Sequence, residues 1–593
     1  MILLTGVFGT TAFANPQEIS QVAQNRPEPL IIKTASGENV LTDEAVPPRR
    51  SSPLSRVGVQ TAQTMTLTVA EAVRKALENN NDIEVSRDDV RFQETQIRSI
   101  LGAYDPVFSI SPTFSRSQTT GSAATKDFRA NANFSKNLER GGGNYQAFFN
   151  NQRTENAFAQ AQVSSGSVTG GGNSAIYSSS FGFNYIQPLA RNFRIDNTRR
   201  QLTIARKRLA QTDTDFRLRA TETITSVQRA YWDYVFALRN QQNQVANVNL
   251  AKENLRQVEA KIEAGAAAPL DKAQVATELA NREGDLLLAT QTVASAENSL
   301  KQLLLRDATS PEWSQTIVPT DTPTISAAPI SLDEAMKDAM ENRFELKRLK
   351  LQQEINNEDL KYFRNQTKPQ IDLNTTFSLD GLSRSGSGAA STTPLFTSTG
   401  DLLLLNSINS TRAALGLPLV TNPTVTIPAS PGYLFGGFQR SLANIFRTDA
   451  PNFSVGVTIS FPLKNRTAKA NLDGAKITEQ QLLAQTRGQE QTVVVDVRNA
   501  VQAVETTRQR VFTARRAREN AEIQLEGERK LYDAGRSTTF LLFQRENALN
   551  NARNAEIRAE TDHSKALADI QRATSTAFRA NNITVDSPVA IPK

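Results

Sequence analysis

Residues 65–188 and 330–462 carry nearly the same pattern twice, and that duplication constrains the fold of this 593-residue chain more than any local motif. An amphipathic stretch with Glu71-Ala72-Val73, Ala76-Leu77-Glu78-Asn79 and Asp82-Ile83 returns 263 residues later as Glu334-Ala335-Met336, Ala339-Met340-Glu341-Asn342 and Glu345-Leu346. The same offset carries Pro106 onto Pro369 and Phe114 onto Phe377 without a gap. Each copy then reaches a strand closed by Pro-Leu (Pro188-Leu189 and Pro462-Leu463), a long helix, a glycine turn and another helix. Length alone allows several domains. The duplication instead predicts one body made of two helix–strand–helix–helix halves, 65–305 and 330–578, joined by a Pro-rich linker at 306–329.

Around the repeats lie segments of different character. Met1 to Ala14 is apolar and ends in Ala12-Phe13-Ala14, the small-x-small pattern of a secretory signal cleaved before Asn15. Residues 15–64 are rich in Pro, Ser and Gln and read as a flexible lead, and 579–593 as a polar tail. No later stretch approaches the run of about 18–20 apolar residues that a membrane-spanning helix needs. A membrane crossing, if there is one, falls to strands.

Composition removes several function classes. The chain has no cysteine and one histidine, so disulfides, thiolate metal sites, a lipid-anchored N-terminal cysteine and His-based metal clusters or triads have no material. His563, in the polar run Glu560-Thr561-Asp562-His563, reads as a solvated helix residue. The net charge of +7 is modest, and Lys and Arg are interleaved with Asp and Glu, which does not indicate nucleic-acid binding. Neither a phosphate-cradling GxxxxGK[ST] nor a GxSxG elbow is present. No enzyme, cofactor or metal is expected.

Four stretches alternate with a period of two. Phe108, Ile110 and Phe114 interleave with Ser109, Ser111, Thr113 and Ser115; Phe181, Phe183 and Tyr185 repeat this before Pro188. In the second half Ile371, Leu373, Phe377 and Leu379 stand against Asp372, Asn374, Thr376 and Ser378. Phe453, Val455, Val457, Ile459 and Phe461 stand against Ser454, Gly456, Thr458 and Ser460. Strands of about ten residues with one aromatic face and one Ser/Thr/Asn face match a barrel with lipid outside and water inside. Phe183, Tyr185, Ile459 and Phe461 are the expected lipid-facing residues near the inner interface. Two weaker strands, at about 127–137 and 144–154, flank Gly141-Gly142-Gly143. A chain that rises from one helix and returns to another uses an even number of strands, so both or neither of these belong to the wall; their small residues favour an extracellular hairpin above the membrane.

The helices are long. One runs from about Arg194 to Glu263, with a four-three spacing through Val227, Tyr231, Tyr234, Leu238, Gln241, Val245, Val248, Lys252 and Leu255, a heptad seam. Its counterpart runs from about Thr467 to Asp533, with Val493, Val497, Val501, Val504 and Val511. Ala264-Gly265 and Ala534-Gly535 end them as left-handed glycine caps. Returning helices at about 270–305 and 540–577, and leading helices at about 68–103 and 331–366, are each half as long. Two half-length helices stacked end to end match one long helix, which describes a cylinder of antiparallel coiled coils capped by strands.

In the repeated opening Glu71 to Asn80, the strand ends Gln187-Pro188-Leu189 and Phe461-Pro462-Leu463, the glycine turns, and Leu463-Lys464-Asn465-Arg466-Thr467-Ala468, the chain resembles the TolC family of outer-membrane efflux and secretion channels. The resemblance covers about 65–578. It implies a homotrimer, each protomer giving four strands to a shared twelve-stranded barrel and its helices to a periplasmic tunnel. It implies passive export of solutes or proteins, in a tripartite efflux pump or type I secretion system, with an inner-membrane pump and a periplasmic adaptor (membrane fusion protein) as partners. It also implies a periplasmic gate near the turns at Gly265 and Gly535. Tyr532 stands where the family has its gating tyrosine, and Asp271 where an aspartate pairs with it. The gating arginine's place is Ser537, with Arg536 one residue earlier. The two ring aspartates fall on Leu541 and Gln544, which removes the material for a cation ring. A water-filled outer-membrane duct is therefore the favoured function, and a structural coiled-coil scaffold in the periplasm its competitor.

Overall fold

The computed structural model describes residues 60–121, 124–155, 175–265, 268–323, 325, 329–385, 390–429, 431–585 and 589. The expected signal segment and most of the flexible lead lie outside these residues.

Each half opens on a broken helix. In the first, α1 (Val69–Asn79) is started by Thr68, whose hydroxyl accepts from the Glu71 amide while the Glu71 carboxylate accepts from the Thr68 amide. Asn80 stops it and caps α2 (Asn81–Leu101). In the second, Ser331 caps α5 (Leu332–Asn342), and Arg343 separates it from α6 (Phe344–Gln366). Asn80 and Arg343 are repeat equivalents with different work. Asn80 caps with its own side-chain oxygen. Arg343, 3% exposed, reaches the Ala573 carbonyl (3.0 Å) and Asp496 (2.9 Å). It thereby ties the second leading helix to the end of its stacked partner.

The long helices are α3 (Asn197–Glu263) and α9 (Arg466–Asp533), of 67 and 68 residues, each reaching on the order of 100 Å. They return as α4 (Pro269–Leu304) and α10 (Thr539–Ala573). Near the strands α3 packs on α2 and α6; near the turns it packs on α4 and α10. The end-to-end stacking expected from the lengths is present. The seam of α9 through Val493, Val497, Val504 and Val511 is buried, as is α3 at Val227, Tyr231 and Tyr234. Lower on α3 the seam departs from the expected positions. Val245 is exposed, and the buried line runs through Gln244, Asn247, Val248, Ala251, Asn254 and Val258. A helix of 3.6 residues per turn drifts against a heptad, and α3 changes neighbours along its length.

His563 is not solvated. It is 1% exposed, packed from α10 against α9, with its Nδ1 3.3 Å from the Thr507 hydroxyl and its pKa lowered by burial. The acidic neighbours Glu560 and Asp562 lie on other faces of the same turn.

The strands form one six-stranded antiparallel sheet in the order β10-β7-β5-β4-β3-β2. Its members are β2 (Val107–Ser117), β3 (Thr125–Asn137), β4 (Asn144–Glu155), β5 (Ile176–Pro188), β7 (Gln370–Arg384) and β10 (Pro451–Ser460). The 125–155 hairpin is therefore an integral part of the sheet and not the separate hairpin its small residues favoured. It pairs with β2 over Thr125–Ser135 and with β5 over Asn144–Thr154, so among the described residues this sheet has six strands, not four. Its apolar face is built by cross-strand complementation: Ala132 sits opposite Phe149, and Ala147 opposite Phe134 and Phe183.

Two regions read as irregular hold structure. The end of the lead and the linker form a parallel pair, β1 (Gln60–Leu67) with β6 (Gln315–Pro319). It rests on α3 through Tyr231 and Tyr234, which donate to the Leu67 and Ile317 carbonyls at 3.1 and 2.6 Å. The connection from β7 to β10 contains α7 (Thr399–Ala414), the hairpin β8 (Ser391–Pro394) and β9 (Thr424–Ile427), and α8 (Phe438–Ile445). Beyond the second half, α11 (Ala577–Ala580) extends the expected boundary by one turn.

Candidate functional site

The sheet offers a continuous aromatic face. Registered pairs place Phe108 by Phe134, Phe149 by Phe181, Phe183 by Phe377, and Phe377 by Phe453, all on one side. Tyr145 stacks on Phe183 with centroids 6.0 Å apart. Of the residues expected to face lipid, Ile459 is 69% exposed, and Phe183 and Phe461 are also exposed. Tyr185 is half-buried, its hydroxyl donating to Gln187 at 2.6 Å. The opposite face carries Asp127, Arg129, Asn131, Asn133, Asn184, Asn374 and Thr376. The two edge strands, β2 and β10, are exposed along their whole length. Among the described residues neither has a partner on its outer edge.

At the far end, Gly265 and Gly535 both adopt φ +71°, the left-handed caps expected. The Gly535 amide donates to Tyr532 and the Arg536 amide to Leu531, closing the turn. Within the protomer the anticipated gate residues have other neighbours. Asp271 accepts from the Ala268 amide at the start of α4, and the Tyr532 ring lies under the Lys261 ammonium at 4.4 Å. The Arg536 side chain makes no bond with either among the described residues. Leu270 and Phe540, about 70% exposed, leave apolar surface at the tips.

Sequence reasoning missed a polar layer above the tips. Arg282, 4% exposed, bridges Glu278 on its own helix (2.9 Å) and Glu546 on α10 (3.3 Å). Asn254 of α3 donates to the same Glu546 carboxylate at 3.2 Å. Burial raises the Glu546 pKa above its usual value, against the opposing pull of Asn254 and Arg282. This cluster joins the first helical hairpin to the second. The signal available was the interruption of an apolar seam by Asn247 and Asn254, which pairwise contacts alone could interpret.

The structure thus combines a sheet with one aromatic face, paired antiparallel helices and a polar layer toward the turns. The model of the outer membrane efflux protein family matches residues 72–304 and 422–576, more than half of the chain, and the chain belongs to that family. Solved structures share the fold at low identity. The channel CusC matches with a TM-score of 0.57 and 15% identity, covering 85% of this chain and 91% of that one. The Campylobacter jejuni CmeC outer membrane channel matches at 0.55 and 14%, covering 87% and 90%. The open-state Neisseria gonorrhoeae MtrE channel matches at 0.54 and 14%, covering 85% and 88%. No curated protein sequence matches significantly.

Proposed function

We propose that three copies of this chain close their sheets into one outer-membrane barrel and their helices into a periplasmic tunnel. The carrying observation is the open sheet. An edge in lipid leaves its N–H and C=O groups without partners, each at a cost of several kcal/mol. Because β2 and β10 run in opposite directions, β10 of one copy beside β2 of the next continues the antiparallel order around a ring. Six strands per chain give eighteen for three copies. With strands about 4.8 Å apart and tilted by about 40°, eighteen strands enclose a wall about 36 Å across, against about 24 Å for twelve.

The duct serves as the outer-membrane member of a tripartite pump or type I secretion system. A periplasmic adaptor engages the exposed tips around Leu270 and Phe540, and an inner-membrane pump supplies energy, since this sequence holds no nucleotide-binding motif. Closure is assigned to the tips at Asp271, Tyr532 and Arg536 and to the Arg282–Glu546 layer above them. Membrane fractionation with electrophoresis of unheated samples tests the reading. A heat-modifiable oligomer in the outer-membrane fraction supports it; a soluble monomeric rod overturns it in favour of a scaffold.

A further inference from the structure

At the foot of the sheet, where the helices begin, lies a cavity of about 660 Å³ lined largely by cations. Two of its charges are already matched: Arg199 by Asp196 at 2.9 Å, and Lys361 by Glu358 at 2.8 Å. Five others, Arg140, Arg194, Arg206, Arg364 and Lys368, line the same cavity and have no ion-pair partner among the described residues. Glu139 is the one unengaged carboxylate on the lining. Tyr104 lines it too; it is 7% exposed, and its buried hydroxyl has no hydrogen-bond partner. Like charges gathered in one hollow, beside an orphaned buried donor, lack an anion.

Chirality decides which way the cavity opens. On an L-strand running upward with a side chain toward the viewer, that residue's N–H and C=O point right. Ile371, on the apolar face of upward β7, accepts at its carbonyl from the Leu189 amide at the foot of β5 (2.7 Å). Seen from lipid, β5 therefore lies right of β7, and the helices follow in the same sense as α2, α3, α6, α9. On right-handed α3, Leu202, Ala205 and Leu209 face α2, while Arg200 and Lys207 pair with Asp359 and Glu354 of α6. The stripe between them, Arg199, Thr203 and Arg206, faces outward. The cavity thus opens away from the lumen, at the level where the periplasmic leaflet meets the protein.

We propose that this cavity binds the phosphate of an anionic phospholipid from the periplasmic leaflet, with the five free cations holding its charge and the Tyr104 hydroxyl donating to a phosphate oxygen. Guanidinium groups suit this task because their planar fork matches two phosphate oxygens at once. A basic hollow at the membrane boundary is the expected form of an anionic headgroup site. The inference rests on the apolar sheet face meeting lipid, and goes beyond the duct reading in naming a ligand.

The test uses the full-length oligomer in vesicles of phosphatidylcholine, with or without phosphatidylglycerol, followed by native mass measurement of retained lipid. The parent is expected to retain phosphatidylglycerol over phosphatidylcholine. A combined Arg140→Gln, Arg364→Gln, Lys368→Gln variant should lose about tenfold or more of that preference, and Tyr104→Phe, which keeps the ring packing, about fivefold. Equal retention of the two lipids by the parent, or an unchanged preference in both variants, overturns the proposal. So does inorganic phosphate binding to the parent without any lipid preference, which assigns the cavity to a free anion. Failure of the chain to insert into either vesicle refutes the duct reading instead, and so separates the two claims.

Discussion

Replacing Arg282 with Met isolates the contribution of the polar layer between the two helical hairpins. The substitution keeps the stem but leaves the Glu546 carboxylate buried without its cation. Breaking a buried pair in this way costs about 3–5 kcal/mol while the orphaned charge persists. Glu546 has an escape, because burial already favours its protonated form. From a usual value of 4.5, taking up a proton at pH 7 costs about 1.36 kcal/mol for each of 2.5 units, which caps the charge penalty at about 3.4 kcal/mol. A folded-state pKa raised above the unfolded value contributes stability below the unfolded pKa and loses it as pH rises. Relative to the parent, Arg282→Met is therefore near neutral at pH 4.5 and worst at pH 7 and above. Hydrogen exchange of peptides covering residues 270–290 and 540–555 reads this local opening. Protection should fall by up to about 300-fold at pH 7, and Glu546→Gln in the same background should recover most of it. Unchanged protection in Arg282→Met, or a double variant worse than the single, refutes the reasoning.

Three further outcomes are expected. Ile459→Arg places a charge on the proposed lipid face of an edge strand and should cost about 2–4 kcal/mol near mid-bilayer, less toward the interface, lowering oligomer yield on unheated gels. Tyr532→Phe with Arg536→Ser should raise single-channel conductance while thermal stability of the oligomer hardly changes; the Lys261 contact with the ring survives, so the change reports the hydroxyl and the guanidinium. Conductance equal to the parent's returns Asp271, Tyr532 and Arg536 to ordinary turn residues. Because burial lowers the His563 pKa, the unfolded chain binds its proton first as pH drops below 6.5, and stability falls across that window. His563→Leu should flatten the decline in a thermal melt between pH 7 and 5.

Periodic signals were the legible ones. The 263-residue offset foretold the two leading helices, which Thr68 and Ser331 begin, but not the breaks at Asn80 and Arg343. The turns at Gly265 and Gly535 were fixed by a backbone conformation that only glycine adopts cheaply. The 125–155 hairpin escaped because Ala130 and Ala132 look weak in one strand, and join an apolar face only beside Pro112, Ile110 and Phe149 across the ladder. The β1–β6 pair joins residues some 250 apart, which no local pattern announces. His563 was misjudged from its sequence neighbours, although Thr561, His563, Ser564 and Ala566 are all buried on α10. At the tips, the family resemblance named Asp271 and Tyr532, but their partners depend on helix rotation. The Arg282–Glu546 layer needed three helices at once to become visible.

The central claim is a water-filled duct closed by copies of one six-stranded sheet, and planar-bilayer recording of the purified oligomer tests it most directly. The account predicts discrete, reproducible conductance steps, rising in the Tyr532→Phe, Arg536→Ser variant. A folded, heat-modifiable oligomer that inserts yet conducts no ions, with or without those substitutions, would contradict it.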